Sequence, residues 1–162
     1  MTRERTAVER LENRLGADHP DTLLAWGDLA VGYARTGRLD KALTIQERVA
    51  KALEVQVGPT HPSTMVALGN LAATYGTLRR FDEALALEAR LASLSAAIHG
   101  PDHRDTLTAE AVLSFSYHDL GRNAEAVGLL RSVVDRLALN AAEDDPELRT
   151  WRTVLISWLE TR

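Results

Sequence analysis

The chain contains no cysteine. Disulfides, thiolate metal sites and cysteine nucleophiles are excluded together, and the absence fits a reducing compartment. Lysine is almost missing as well. Lys41 and Lys51 are the only two, and arginine supplies the rest of the 19 basic residues. These face 23 acidic residues, for a net charge of −4. Such a balance gives no electrostatic reason to bind nucleic acid or an anionic membrane. No run approaches the ~18 apolar residues of a membrane span. The N-terminus, Met1 to Arg5, is charged and leads into no apolar segment of a secretory signal. A cytoplasmic protein with neither a nucleic-acid nor a membrane partner is expected. Also missing are any sustained period-2 alternation of β-branched residues, any G-x-S-x-G context and any glycine-rich phosphate loop. Strands, an enzymatic role and a cofactor are therefore not expected.

What is present is a repeat. Gly16-Ala17-Asp18-His19-Pro20-Asp21-Thr22 recurs as Gly58-Pro59-Thr60-His61-Pro62-Ser63-Thr64 and as Gly100-Pro101-Asp102-His103-Arg104-Asp105-Thr106, a period of 42 residues. A worn fourth copy runs from Ala142 to Leu148. Other positions keep the same step: Leu29, Leu71, Leu113 and Leu155; Tyr33, Tyr75 and Tyr117; Ala42, Ala84 and Ala126.

Each unit reads as two helices. Trp26, Leu29, Ala30 and Tyr33 share one helical face. Gly37 suits the left-handed residue that ends a helix. A second periodic run, Leu39, Ala42, Leu43, Val49 and Leu53, stops at Gly58-Pro59. The following His-Pro opens the next helix, with proline tolerated in the first turn. Ala30, Ala72 and Ser114, and again Ala42, Ala84 and Ala126, are small enough to let paired helices approach closely. The expected helices are 1–15, 20–36, 38–57, 62–78, 80–99, 104–120, 122–141 and 146–161. With 162 residues, 45% of them apolar, one domain with a sizeable core is expected.

Leu29-Ala30-x-x-Tyr33 followed by Gly37-Arg38-x-x-x-Ala42 resembles the tetratricopeptide repeat, and Leu71-Ala72-x-x-Tyr75 with Phe81-Asp82-Glu83-Ala84 resembles it more closely. The Gly-Pro-x-His-Pro-x-Thr link and the long period resemble the kinesin light chain type, a form also common in bacterial multidomain regulators. The resemblance implies an all-α fold, a right-handed superhelical array of antiparallel hairpins. It would run as a single array over 1–162: a half-repeat at 1–15, full repeats at 19–60, 61–102 and 103–144, and a terminal half-repeat at 145–162. It further implies a scaffold that binds a peptide or protein segment in a concave groove, either free-standing or within a larger bacterial regulator.

In that geometry the groove is lined by the helical stripe beside the core. The stripe comprises Leu24, Asp28, Val31 and Arg35, then Val66, Asn70, Ala73 and Thr77, then Thr108, Val112, Phe115 and Asp119. The candidate binding residues are Asp28, Arg35, Asn70, Thr77, Thr108, Phe115 and Asp119. Asn70 matches the family position whose amide can hold a ligand backbone. The paired lysine and asparagine clamp for a C-terminal carboxylate is not reproduced, so an acidic tail is not the expected ligand. Phe115 reads equally as a groove anchor or as a contact with a neighbouring helix.

Two alternatives stay open. Trp151, Leu155 and Trp158, with Val154, Ile156 and Leu159, form a wide apolar stripe near the end of the chain. That stripe serves either to cap the array or as an interface for a homo-oligomer or partner. A small-molecule-binding accessory enzyme is the remaining class. The third hairpin breaks the pattern, with Glu110 where Trp26 and Leu68 stand, Asn123 for Leu39 and Phe81, and Gly128 inside a helix. Either looser packing or polar partners for Glu110 and Asn123 are expected. His19, His61 and His103 read as helix-start residues, because copies a whole hairpin apart cannot share one ion. His99 and His118 show no metal-spaced companion, and no metal site is expected. Glu110, His118 and Asp119 do not converge on one face.

Overall fold

The computed structural model describes residues 2–142 and 144–160. The expected helix start at Met1, Glu143 of the worn fourth link, and Thr161 and Arg162 of the terminal half-repeat lie outside the described residues. Among the described residues there are eight α-helices and no strand. They are α1 (Thr2–Leu15), α2 (Pro20–Arg35), α3 (Leu39–Val57), α4 (Pro62–Thr77), α5 (Phe81–His99), α6 (Arg104–Asp119), α7 (Asn123–Ala138) and α8 (Pro146–Glu160). The chain divides into two compact units, Met1–Ala84 and Leu85–Arg162, with the division inside α5.

The links between hairpins share one construction. Each histidine of the repeated link is an N-cap with extended backbone, and its Nδ1 accepts the N–H two residues on: Asp21, Ser63 and Asp105, each at 3.2 Å. The expectation of a helix-start role is met in all three copies. Gly16, Gly58 and Gly100 have φ of +99°, +91° and +93°. At Gly58, ψ of 164° completes a conformation open essentially to glycine alone. The buried threonine six residues later donates back to that glycine's carbonyl, Thr64 at 2.8 Å and Thr106 at 2.9 Å. In the first link Thr22 is equally buried, but its hydroxyl finds no partner.

The turns inside the hairpins are equally uniform. The N–H groups of Arg38, Arg80 and Arg122 donate to the carbonyls of Tyr33, Tyr75 and Tyr117, each at 2.9 Å. This is the bond that closes a helix through a left-handed residue. The same arginines lay their guanidinium groups over those tyrosine rings, at 5.9, 4.5 and 4.4 Å from the centroid. Arg80 and Arg122 are also held by Glu83 and Glu125 three residues on. In the first hairpin Lys41 takes that place, and the arginine lies farthest from its ring. The left-handed residue is Gly37 (φ +73°), Arg79 (φ +59°) and Gly121 (φ +74°). Arg79 is thus a side-chain-bearing residue where both other copies use glycine.

In the first unit Leu23, Leu29, Ala30, Ala42, Val49, Leu53, Leu68 and Leu71 are buried. Trp26 ties three helices together. Its Nε1 donates to Glu12 of α1 at 3.1 Å, and Arg48 of α3 both lies over its ring and pairs with Glu12 at 2.9 Å. In the second unit Leu107, Ala111, Val127, Leu130, Val133, Leu137, Leu148, Trp151 and Leu155 form one core. Fully burying a leucine or valine contributes about 1.5–3 kcal/mol, so Leu130 and Val133, both at 0% exposure, anchor this unit. Glu110, at the register of Trp26 and Leu68, finds the polar partner its position requires. Arg136 donates to it at 2.6 Å and also reaches Asp102 at 2.9 Å and the Pro101 carbonyl.

The fourth link differs. Helix α7 ends at Ala138, three residues before the expected 141, because the Leu139 and Asn140 N–H groups tighten onto Arg136 and Leu137. No glycine stands at Ala142, the register position of Gly58 and Gly100, to make the same exit. Asp145 occupies the histidine position and caps α8, accepting from the N–H groups of Glu147 and Leu148 at 3.0 Å each. Arg104 binds both Asp145 and Glu147.

A left-handed conformation costs a non-glycine residue about 1–2 kcal/mol, and nothing at Arg79 offsets it beyond a guanidinium 5.3 Å from the Phe81 ring. Arg79→Gly is therefore expected to stabilise the protein by up to about 1 kcal/mol, read as a higher urea midpoint at unchanged m-value. A lower midpoint would show that the Phe81 contact outweighs the backbone strain.

Candidate protein interface

Helices α2, α3 and α4 enclose a cleft of about 280 Å³. Its walls include Val31 and Arg35 from α2 and Asn70, Ala73 and Thr77 from α4, all members of the stripe read from the sequence. Arg35 and Thr77 are exposed and Asn70 is half-buried. The Thr77 hydroxyl is turned back to its own helix, donating to the Ala73 carbonyl at 2.9 Å. Asp28 is exposed on α2 but does not line this cleft.

The floor holds a residue that the sequence reading did not single out. Gln46 of α3 is 4% exposed, lines the cleft, and its side-chain oxygen finds no donor. An unpaired buried amide oxygen costs about 1–3 kcal/mol. The same register position in α5 is Glu88, and in α7 it is Leu130. Glu88 is half-buried, and one of its carboxylate oxygens also has no partner among the described residues. Aligning the three copies by their period would have exposed this polar, polar, apolar column.

In the second unit the candidate residues Thr108, Phe115 and Asp119 all stand on α6. Thr108 donates to the Arg104 carbonyl at 2.9 Å. Val112 and Phe115 are exposed on α6. Phe115 meets Trp158 of α8 edge-on, with centroids 5.2 Å apart, and His118 stacks against the same indole at 4.4 Å. Phe115 therefore has a packing partner on a neighbouring helix, one of its two expected roles. Trp151 and Leu155 are buried in the core of this unit and Trp158 packs against it, while Ile156 and Leu159 of α8 remain exposed. Glu110 pairs with Arg136 of α7, while His118 stacks on Trp158 of α8.

His99 has companions that sequence spacing did not suggest. Its ring stacks on that of His103 at 4.6 Å, and its Nε2 lies 3.9 Å from an Asp105 carboxylate oxygen. The expectation that His99 stands alone is corrected here. The bend at Gly100 brings the end of α5 back over the start of α6.

Burial raises the Glu88 carboxyl above the ordinary glutamate range, opposed by a hydrogen bond from Ser116 and supported by the charge of Asp119. A raised folded value means that the folded state binds the proton more tightly than the unfolded one. Stability from this group is greatest at acid pH and is lost as pH rises from the unfolded value of about 4.3 through the folded value. Glu88→Gln, the side chain that α3 carries at this position, is expected to raise the melting temperature at pH 7. The difference should close below about pH 4. A gap of equal size at both pH values would assign the effect to packing instead of charge.

Comparison with known proteins agrees with this architecture. Residues 25–94 match the tetratricopeptide repeat family model. No curated protein matches the chain. Among solved structures, the nearly identical kinesin light chain TPR-like repeats from Podosopora anserina superpose with a TM-score of 0.88 at 24% identity, over 97% of this chain and 74% of theirs. A substituted form of those repeats gives 0.82 at 23% identity, over 98% and 81%. BtubC (BKLC) from P. vanneervenii gives 0.81 at 21% identity; 97% of this chain is covered, and it spans 63% of that protein. No helix among the described residues is long and apolar enough to cross a membrane. Repeats of this fold generally serve protein–protein interaction and are typically scaffolds without catalytic activity. Residues 25–94 are thus similar to the tetratricopeptide repeat family, and the chain as a whole shares the all-α helical-repeat fold of kinesin light chain-like TPR solenoids.

Proposed function

We propose that this chain is an interaction module that holds an extended peptide or protein segment in the cleft between α2 and α4, above α3. The observation that carries this reading is the cleft itself, which sets the half-buried Asn70 amide among apolar side chains of α2, α3 and α4. The half-buried Asn70 amide supplies both a donor and an acceptor for a peptide group. Arg35 at the rim favours a carboxylate on the bound segment. Val31, Ala34, Leu39 and Ala73 supply apolar contact. The mixture suits main-chain recognition with modest side-chain selectivity.

The test uses peptides selected from a displayed library on the immobilised protein. Asn70→Ala removes the amide from the cleft wall while leaving α4 a good helix. Binding of the selected peptides is expected to fall about ten-fold or more, the worth of a hydrogen bond to a buried group, while thermal stability holds or rises. Undiminished binding in this variant and in Arg35→Ala would place the site elsewhere.

Exposed Ile156 and Leu159 favour a second reading, self-association through α8. Trp151, Leu155 and Trp158 then serve by holding that helix to the core of its unit. Light scattering over a concentration series should show mass growing above 17.8 kDa, with Ile156→Asp restoring the monomer. A constant monomeric mass removes this reading.

A further inference from the structure

Of the three histidine-bearing links, one differs chemically from the others. All three have the N-cap histidine, and the first and third also carry an aspartate two residues on, Asp21 and Asp105. Only the third has a further histidine at the end of the preceding helix. His99 stands where the earlier copies have Leu15 and Val57. Because Gly100 (φ +93°) turns the chain sharply, that extra imidazole folds back onto the cap. One ligand atom each from His99, His103 and Asp105 then lie within 4.8 Å of one another.

We propose that His99, His103 and Asp105 form a binding site for one divalent transition-metal ion of the kind that prefers imidazole, zinc foremost. The geometry is close to what such an ion needs. Asp105 Oδ2 lies 3.9 Å from His99 Nε2 and 3.6 Å from His103 Nδ1. Nitrogen and oxygen ligands sit about 2.0–2.2 Å from zinc, which places neighbouring ligand atoms of a tetrahedral site about 3.3 Å apart. Rotations about the side-chain bonds of three exposed residues close that difference. The donor atom is suitably placed too. His103 Nδ1 already accepts the Asp105 N–H at 3.2 Å, so this nitrogen carries a lone pair. Coordination then trades a cap bond for a metal bond.

The surrounding charges permit it. Arg104 is bound by Asp145 and Glu147, and Arg136 by Asp102 and Glu110. Both cations near this link are thus offset by carboxylates. Three protein ligands leave a coordination position for water, and two imidazoles with one carboxylate select zinc, nickel or copper over magnesium. The ion ties the last turn of α5 to the first turn of α6, within the second unit, and so stiffens the one link that carries the extra ligand.

The experiment is calorimetric titration of the full, tag-free chain with zinc chloride alone, alongside thermal melts with and without the metal. The expected result is one equivalent bound and a higher melting temperature, with magnesium chloride giving neither. His99→Ala removes a ligand that caps nothing, and His103→Asn removes a ligand but keeps an N-cap acceptor. Each should weaken zinc binding at least ten-fold, with helical circular dichroism unchanged. Because His19 with Asp21 survives in both variants, it reports the background of a two-ligand link. Absence of zinc binding in the wild type, or equal binding by the wild type and both variants, would overturn the proposal.

Discussion

Everything in this chain depends on how it leaves one helix and enters the next. A helix exposes four unpaired N–H groups at its start and four carbonyls at its end. In a repeat protein these ends recur every hairpin and lie close together. The chain meets the demand with three groups in seven residues. A glycine reverses direction through a backbone conformation closed to other residues, a histidine accepts an orphan N–H, and a buried threonine returns a hydrogen bond to the glycine carbonyl. Where one group changes, the others shift. With no glycine at Ala142, α7 ends early, and aspartate takes over the cap from histidine.

The hairpin turns show the same economy with a different residue set. A backbone bond from arginine to the tyrosine carbonyl fixes the turn, and the arginine side chain covers the tyrosine ring that the bond has brought beneath it. One residue serves main chain and side chain together, which explains why arginine recurs at 38, 80 and 122. A lysine could not spread over the ring in the same way, since its charge is compact and more strongly hydrated.

The copies disagree at positions that the fold does not need. The column Gln46, Glu88 and Leu130 changes a buried side chain from amide to acid to hydrocarbon while the helices around it stay in register. The column Leu15, Val57 and His99 adds an imidazole at one link alone. Neither change is needed to form a hairpin. Each places a polar group where another copy has a hydrocarbon side chain.

The helices, their order and the residues facing inward were legible from the sequence, since they follow from spacing along one chain: Leu29, Ala30 and Tyr33 share a face whatever lies opposite. The histidine caps and the resemblance to tetratricopeptide repeats were legible for the same local reason. Contacts between helices were not. Glu110 reads as a defect until Arg136, 26 residues away, is folded against it. Phe115 reads as a bare aromatic until Trp158 of α8 meets its edge, and His99 reads as solitary until the bend at Gly100 lays it on His103. Gln46 belongs to the apolar period of α3, and only the packing of α2 and α4 over it puts it in the lining of a cleft. Sequence periodicity determined which side of each helix is buried, because that is a property of one helix. Only the tertiary structure decided which polar groups meet or go unmet, because that depends on the groups neighbouring helices bring.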